Sequence, residues 1–214
     1  MIFEKYSELE GQHAFLSPSQ PHWLRYTEDK LIERYLNSMA VQRGTELHKF
    51  ASDAIRLNIP LPRSKTSLNM FVNDAIGYKM SSEQPLYYSG FCFGTADAIE
   101  YKRNYLRIHD LKTGETEAKM DQLKVYAALF CLNYQNIVRR LRQEGKSDID
   151  IATKLDLKPT ELHFNPAQMA GIELRIYQFG DIKIENADPE EIRSIMDIIV
   201  SHTNLLRNVE AEAQ

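Results

Sequence analysis

The chain has 214 residues, 43% hydrophobic and 26% charged, which suits one compact domain with a sizeable core and leaves little room for a second full domain. Its 26 Lys and Arg against 30 Asp and Glu give a net charge of -4, so no overall positive field marks a polyanion binder and any nucleic-acid contact needs a local basic surface. The two cysteines, Cys92 and Cys131, lie far apart with no CxxC pair, which excludes a Cys-rich zinc module and a four-cysteine iron-sulfur cluster and reads as two reduced core thiols. The start MIFEKYSELEGQ is charged, without an apolar signal core, and no run of about 18 apolar residues occurs, so the expectation is a cytosolic protein with no membrane partner.

Residues 17 to 58 read as two helices. Ser19 is the expected N-cap, with Pro21 in the first turn and Trp23, Leu24, Leu31, Ile32, Tyr35 and Leu36 as an apolar stripe. A second helix is expected from about Val41, with Leu47, His48, Phe50, Ala51, Ala54 and Ile55 at helical offsets, ending before Pro60 and Pro62. A short helix is expected over 68 to 80, on Phe71, Val72, Ala75 and Ile76.

The period then changes to two. Leu86 to Phe93, Thr95 to Tyr101 and Tyr105 to Leu111 read as three antiparallel strands, divided by Gly94 and by a turn at Lys102, Arg103 and Asn104. A helix is expected over 117 to 134, with Leu123, Tyr126, Ala127, Phe130 and Cys131 on one side. Ile172 to Tyr177 and Asp181 to Glu185 read as a hairpin turning near Phe179 and Gly180. Asp188, Pro189, Glu190 and Glu191 form a helix start, and the last helix is expected to reach about Leu206. The order predicts an α/β (α+β) fold with a central mixed sheet flanked by helices.

Phosphodiester hydrolysis needs a bound metal to polarise phosphate and water, carboxylates to hold it and a cation to orient the nucleophile. Asp97 stands in GTADAI at the start of one expected strand, and Asp110 and Lys112 stand in DLKTG at the end of the next. Residues two apart on a strand share a face, so Asp110 and Lys112 project together. Pairing through the turn near 103 would bring Asp97 opposite Asp110, with the Leu111 backbone carbonyl as a further hard oxygen ligand.

Asp97, twelve intervening residues and then Asp110-x-Lys112 resemble the core of PD-(D/E)XK nucleases, in the form of the RecB-like and lambda-exonuclease-like branch. GTELH at 44 to 48 resembles the helical motif of that branch, whose histidine, here His48, adds a metal ligand. QLKVY at 122 to 126 resembles its Gln-x-x-x-Tyr motif, placing Gln122 and Tyr126 on one helical face. The likeness covers roughly residues 15 to 134 and is looser beyond.

It implies a restriction-endonuclease-like core over 1 to 214 and a DNA exonuclease of phage-type recombination. His48, Asp97, Asp110 and the Leu111 carbonyl would bind Mg²⁺ or Mn²⁺, with Lys112 steadying negative charge and Gln122 and Tyr126 positioning phosphate or water. Glu100 and Glu117 are accessory candidates. The implied partners are DNA and a single-strand annealing protein or helicase, in a host cytoplasm if the chain is phage-encoded, with a ring-forming homo-oligomer left open. The CRISPR-adaptation branch fits less well, because it generally uses four cluster cysteines. An endonuclease or resolvase on the same core is the nearest alternative.

Residues 136 to 162 read as a helical insertion in which Arg139, Arg140, Arg142 and Lys146 make a basic run. EGKS followed by an IAxxLxL pattern resembles the first part of a helix-turn-helix, with Ser147 as a cap. Two readings stand, a solvated helical excursion and a DNA-contacting element that could serve a non-catalytic DNA-binding protein. Arg63 and Lys65 form a weaker basic spot.

Overall fold

The computed structural model describes residues 7, 11 and 13–213. The chain groups into two compact units, Met1–Glu46 and Leu47–Gln214. Helix α1 (Glu28–Arg56) begins in the first unit and ends in the second. It is one helix, without the expected break before Val41. No proline falls in that stretch, and Gly44, which costs only about 1 kcal/mol inside a helix, is carried within it. Ser19 is not its cap. The Ser19 hydroxyl pairs with Ser17 at 2.8 Å, Pro21–Arg25 is a single 3-10 turn, and the α1 amide of Lys30 reaches Thr27 Oγ1 at 3.4 Å. The stripe Ile32, Tyr35 and Leu36 stays exposed, as does Phe50.

The second unit holds the sheet. After α2 (Ser67–Tyr78) come β1 (Ser81–Ser89), β2 (Cys92–Lys102) and β3 (Tyr105–Leu111), followed by α3 (Asp121–Gln143) and α4 (Asp148–Lys154). Strands β4 (Gly171–Gln178) and β5 (Asp181–Asn186) and helix α5 (Pro189–Glu212) complete it. Spatial order follows chain order, with β3 and β4 parallel and every other neighbouring pair antiparallel. The long excursion through α3 and α4 is what permits the parallel step, since a tight turn joins only antiparallel neighbours. The fold is mixed α/β, with helices over a mixed five-stranded sheet.

The two faces of the sheet bury different helices. Leu106 and Ile108 of β3 pack with Leu123, Ala127 and Cys131 of α3 and with Ile192 and Ile199 of α5. On the other face Ala98 and Leu111 meet Phe71, Val72 and Ala75 of α2 and Ala51, Ala54 and Ile55 of α1. Cys131 is a buried free thiol and Cys92 a half-buried one.

Three boundaries differ from the sequence reading. The first hairpin turns at Gly90 and Phe91, between paired Ser89 and Cys92, and Gly94 lies inside β2. A Cβ at Gly94 would stand 2.9 Å from the Tyr126 ring, so the glycine makes room for an α3 side chain and does not mark a turn. Helix α3 continues nine residues past Tyr134 because Val138 and Leu141 remain on its buried side. Helix α5 likewise runs on to Glu212.

Residues 136 to 162 contribute side chains to the core. Ile151, Ala152 and Leu162 pack with Val138 and Leu141, and Ser147 caps α4 in a reciprocal capping box with Asp150. A 3-10 turn, Pro159–Glu161, follows where a helix-turn-helix needs its second helix, so that likeness stops at its first half.

Candidate metal and catalytic site

The sheet carries its carboxylates at one irregular point. The β1–β2 register pairs Ser82 with Ala98 and Gln84 with Ala96, but Glu83 and Asp97 between them are not paired. Glu83 has a φ of 50°, a left-handed conformation that is costly for a residue with a side chain. Core packing records the same disturbance: Ala96 and Ile99, of opposite parity, both lie on the α3 face. Regular pleating would place them on opposite faces, so the in-and-out alternation breaks near Asp97 while the β1–β2 register is kept.

On the other side of β2, the last pair with β3 is Ala98 with His109. One step further in the same register, Asp97 stands opposite Asp110. Asp97 Oδ2 accepts the Leu111 amide at 2.9 Å and lies 3.3 Å from His48 Nδ1. His48 sits one turn before Ala51, whose burial with Ala54 and Ile55 fixes this end of α1 over the sheet. His48, Glu83 and Asp97 form a group whose ligating atoms all lie within 4.8 Å of one another.

Asp110 stands just outside that group, with Lys112 Nζ 3.2 Å from its Oδ1 and 3.0 Å from its Oδ2. Only the Oδ1 contact has hydrogen-bond geometry, so Oδ2 is buried with no hydrogen-bond partner. Lys112 also donates to Gln122 Oε1 at 2.7 Å, and Gln122 Nε2 donates to the Tyr126 hydroxyl at 3.1 Å. A single chain of hydrogen bonds therefore links Asp110, Lys112, Gln122 and Tyr126, and the space at Gly94 fixes its far end.

The electrostatics are those of crowded negative charge. Burial first, and then the Asp97 carboxylate, pushes Asp110 up to about 6, against the lowering pull of Lys112 and His48. Donating to the Asp97 carboxylate raises His48 above its ordinary value despite its partial burial. Burial and then Asp97 raise Glu83. Two carboxylates and one imidazole lie within 4.8 Å of one another beside a buried Asp110 oxygen that has no hydrogen-bond partner, a donor set able to hold a metal ion.

The structure thus brings together His48, Asp97, Asp110, Lys112, Gln122 and Tyr126, with the Leu111 backbone beside them. It adds Glu83, which the sequence reading missed. Nothing in SSEQP marks this carboxylate as chemical, because its place depends on cross-strand register and an unusual φ. The accessory candidates are engaged elsewhere: Glu100 binds Arg107 at 3.0 Å and Glu117 lies 3.7 Å from Lys183. In the basic run, Arg142 grips Asp148 through two nitrogens at 2.9 and 3.2 Å, and Arg140 lies 3.8 Å from Glu144. Arg139 reaches Asn136 at 3.4 Å. Lys146 is exposed just before α4.

Comparison with family models, with curated proteins and with solved structures finds no match. Among the described residues no helix is long and apolar enough to cross a membrane.

Proposed function

We propose that this chain is a divalent-metal-dependent deoxyribonuclease of PD-(D/E)XK type, an exonuclease hydrolysing phosphodiester bonds during recombination, repair or replication of DNA. One observation supports the reading above the others. The imidazole of His48 lies 3.3 Å from the Asp97 carboxylate, which also accepts the Leu111 amide, and Leu111 stands between Asp110 and the lysine that pairs with it at 3.0 Å.

His48, Asp97, Asp110, Glu83 and the Leu111 carbonyl would hold Mg²⁺ or Mn²⁺. When bound, the ion supplies Lewis acidity at the scissile phosphate and makes water more acidic. The imidazole makes Mn²⁺ more competitive than it is at an all-oxygen site. The remaining roles belong to the chain's own groups. Lys112 spends two contacts on Asp110 and Gln122, and an ammonium has three donors, so one remains for the attacking water or a phosphate oxygen. Asp110, which holds Lys112 by a hydrogen bond at 3.2 Å, would take the proton leaving that water, its carboxyl being raised by burial and then by Asp97. Attack at phosphorus breaks the P–O ester bond and leaves the sugar oxygen to take up a proton. Gln122, held by both Lys112 and Tyr126, orients the phosphate.

The test is degradation of linear and of closed circular DNA with Mg²⁺ or Mn²⁺ by the wild type and by Lys112→Ala. The proposal expects the linear substrate to be consumed, the circle to survive, and the variant to lose about 10²-fold or more of the rate. Degradation undiminished by Lys112→Ala would dismiss the site, and cutting of the circle would replace exonuclease by endonuclease.

A further inference from the structure

At the opposite end of β2 and β3 from Asp97 and Asp110, on the α2 side, lies an open cavity of about 470 Å³ that the catalytic scheme does not use. It is lined by Lys79, Lys102, Arg103 and Arg107, with Glu100 the only acid among its walls. Glu100 is neutralised within the cavity by Arg107 at 3.0 Å, and Arg107 is held between the Tyr78 and Tyr105 rings at 4.7 and 4.4 Å. Lys79, Lys102 and Arg103 are exposed and have no ion-pair or side-chain hydrogen-bond partner among the described residues. Three unpaired cations therefore converge on one hollow of a chain whose net charge is -4.

The backbone beneath them points the same way. Lys79 caps α2 at φ 59° and Arg103 opens the β2–β3 turn at φ 53°, both in the left-handed region. Helix C-caps and tight hairpin turns of this kind normally take glycine or asparagine, which enter that region at little cost. At both positions the chain has a strained cation instead. Local strain of this sort is retained where the side chain does something that a relaxed residue could not. The turn is also anchored: Asn104 O accepts the Ala170 amide at 2.7 Å, and Tyr101 OH donates to Asn104 Oδ1 at 2.6 Å. The cations thus start from a fixed backbone.

We propose that this cavity is a phosphate-binding site that grips the DNA backbone away from the bond being cut. Lys79, Lys102 and Arg103 make the contacts, above a floor where Arg107 is paired with Glu100 at 3.0 Å and with Glu173 at 3.6 Å. That the phosphate belongs to DNA rests on the nuclease reading; the phosphate chemistry does not.

The test is equilibrium binding of a fluorescent duplex in EDTA, so that no cleavage is read, across a salt series, for the wild type and for Lys79→Asn with Arg103→Asn. Asparagine suits both left-handed positions, so the double variant is expected to melt at the same temperature or higher while its DNA affinity falls at least about tenfold and its salt slope flattens by about 2. Equal affinity and slope in the two proteins would overturn the inference and leave the nuclease reading untouched. Weaker binding by the variant, in a protein that never cuts DNA, would support the site and sink the nuclease reading. Thermal stabilisation by inorganic phosphate that is lost in the variant, with no DNA binding by the wild type, would overturn the backbone contact and make the occupant a free phosphate.

Discussion

Asp97 and Leu111 are joined across two strands by one hydrogen bond, Leu111 N to Asp97 Oδ2 at 2.9 Å, just past the last paired residues of β2 and β3. The carboxylate therefore has two duties, completing the strand pairing and facing His48.

Those duties separate by substitution. Asp97→Asn keeps an oxygen to accept the Leu111 amide but removes the charge, whereas Asp97→Ala also strands a part-buried donor, which costs about 1–3 kcal/mol. Urea denaturation should find the alanine variant less stable than the asparagine variant by about that amount, with both inactive on DNA. Equal stability in the two would show that the hydrogen bond contributes nothing to the fold.

Gly94 and Tyr126 give a test of positioning. A methyl group at 94 would meet the Tyr126 ring at 2.9 Å and push it away from Gln122. Gly94→Ala should lower kcat by about 10- to 100-fold, since displacement of a positioning group by about 1 Å is enough for that. Melting should hardly change, because the ring tip is free to move. Unchanged kcat would separate Tyr126 from the chemistry.

His109 sets the acid limit of the fold. Its ring is buried, and burial, then the Arg175 and Arg107 guanidiniums, hold it down at about 3, against an ordinary 6.5. A depressed folded-state pKa gives stability that is present above about 6.5 and is lost as pH falls toward 3. The cost of charging this ring is on the order of several kcal/mol. His109→Gln should flatten the fall in stability between those two values in a pH series of denaturation curves. An unaltered profile would place the acid transition in other groups.

Asp110 works in the opposite sense. Its folded-state pKa is raised to about 6, so its contribution is fully present below its unfolded value near 3.8 and is lost as pH rises through about 6. A divalent cation prefers the ionised form, so the melting shift produced by Mn²⁺ should grow as pH rises through that range. In Asp110→Asn the metal-free protein should be more stable than wild type above pH 6, and the pH-dependent part of the shift should shrink to what His48 and Glu83 contribute. A shift of the same size at every pH would remove Asp110 from the ligands.

Much of this arrangement was legible in the chain. Apolar periodicity located most elements of the second unit, and the two-residue spacing of Asp110 and Lys112 is reflected in their pairing at 3.0 Å. Legibility failed where a residue's role depends on a partner distant in sequence. Gly94 reads as a break because glycine usually is one, yet its space is claimed by a tyrosine on α3. Glu83 carries no motif, and its position comes from register and a left-handed backbone conformation. In α1, Ile32, Tyr35 and Leu36 have helical spacing and stay exposed, because periodicity reports a helix and not what covers it. The basic run at 139 to 146 was ambiguous for the same reason, since only folding shows Arg142 committed to Asp148.

The most direct measurement is anomalous diffraction from crystals soaked in Mn²⁺. The account predicts a peak bounded by His48, Asp97 and Asp110, with the Leu111 carbonyl or Glu83 completing the shell, and its loss in Asp97→Asn. A well-ordered soaked crystal with no peak between those side chains, or with manganese bound only elsewhere, would contradict it.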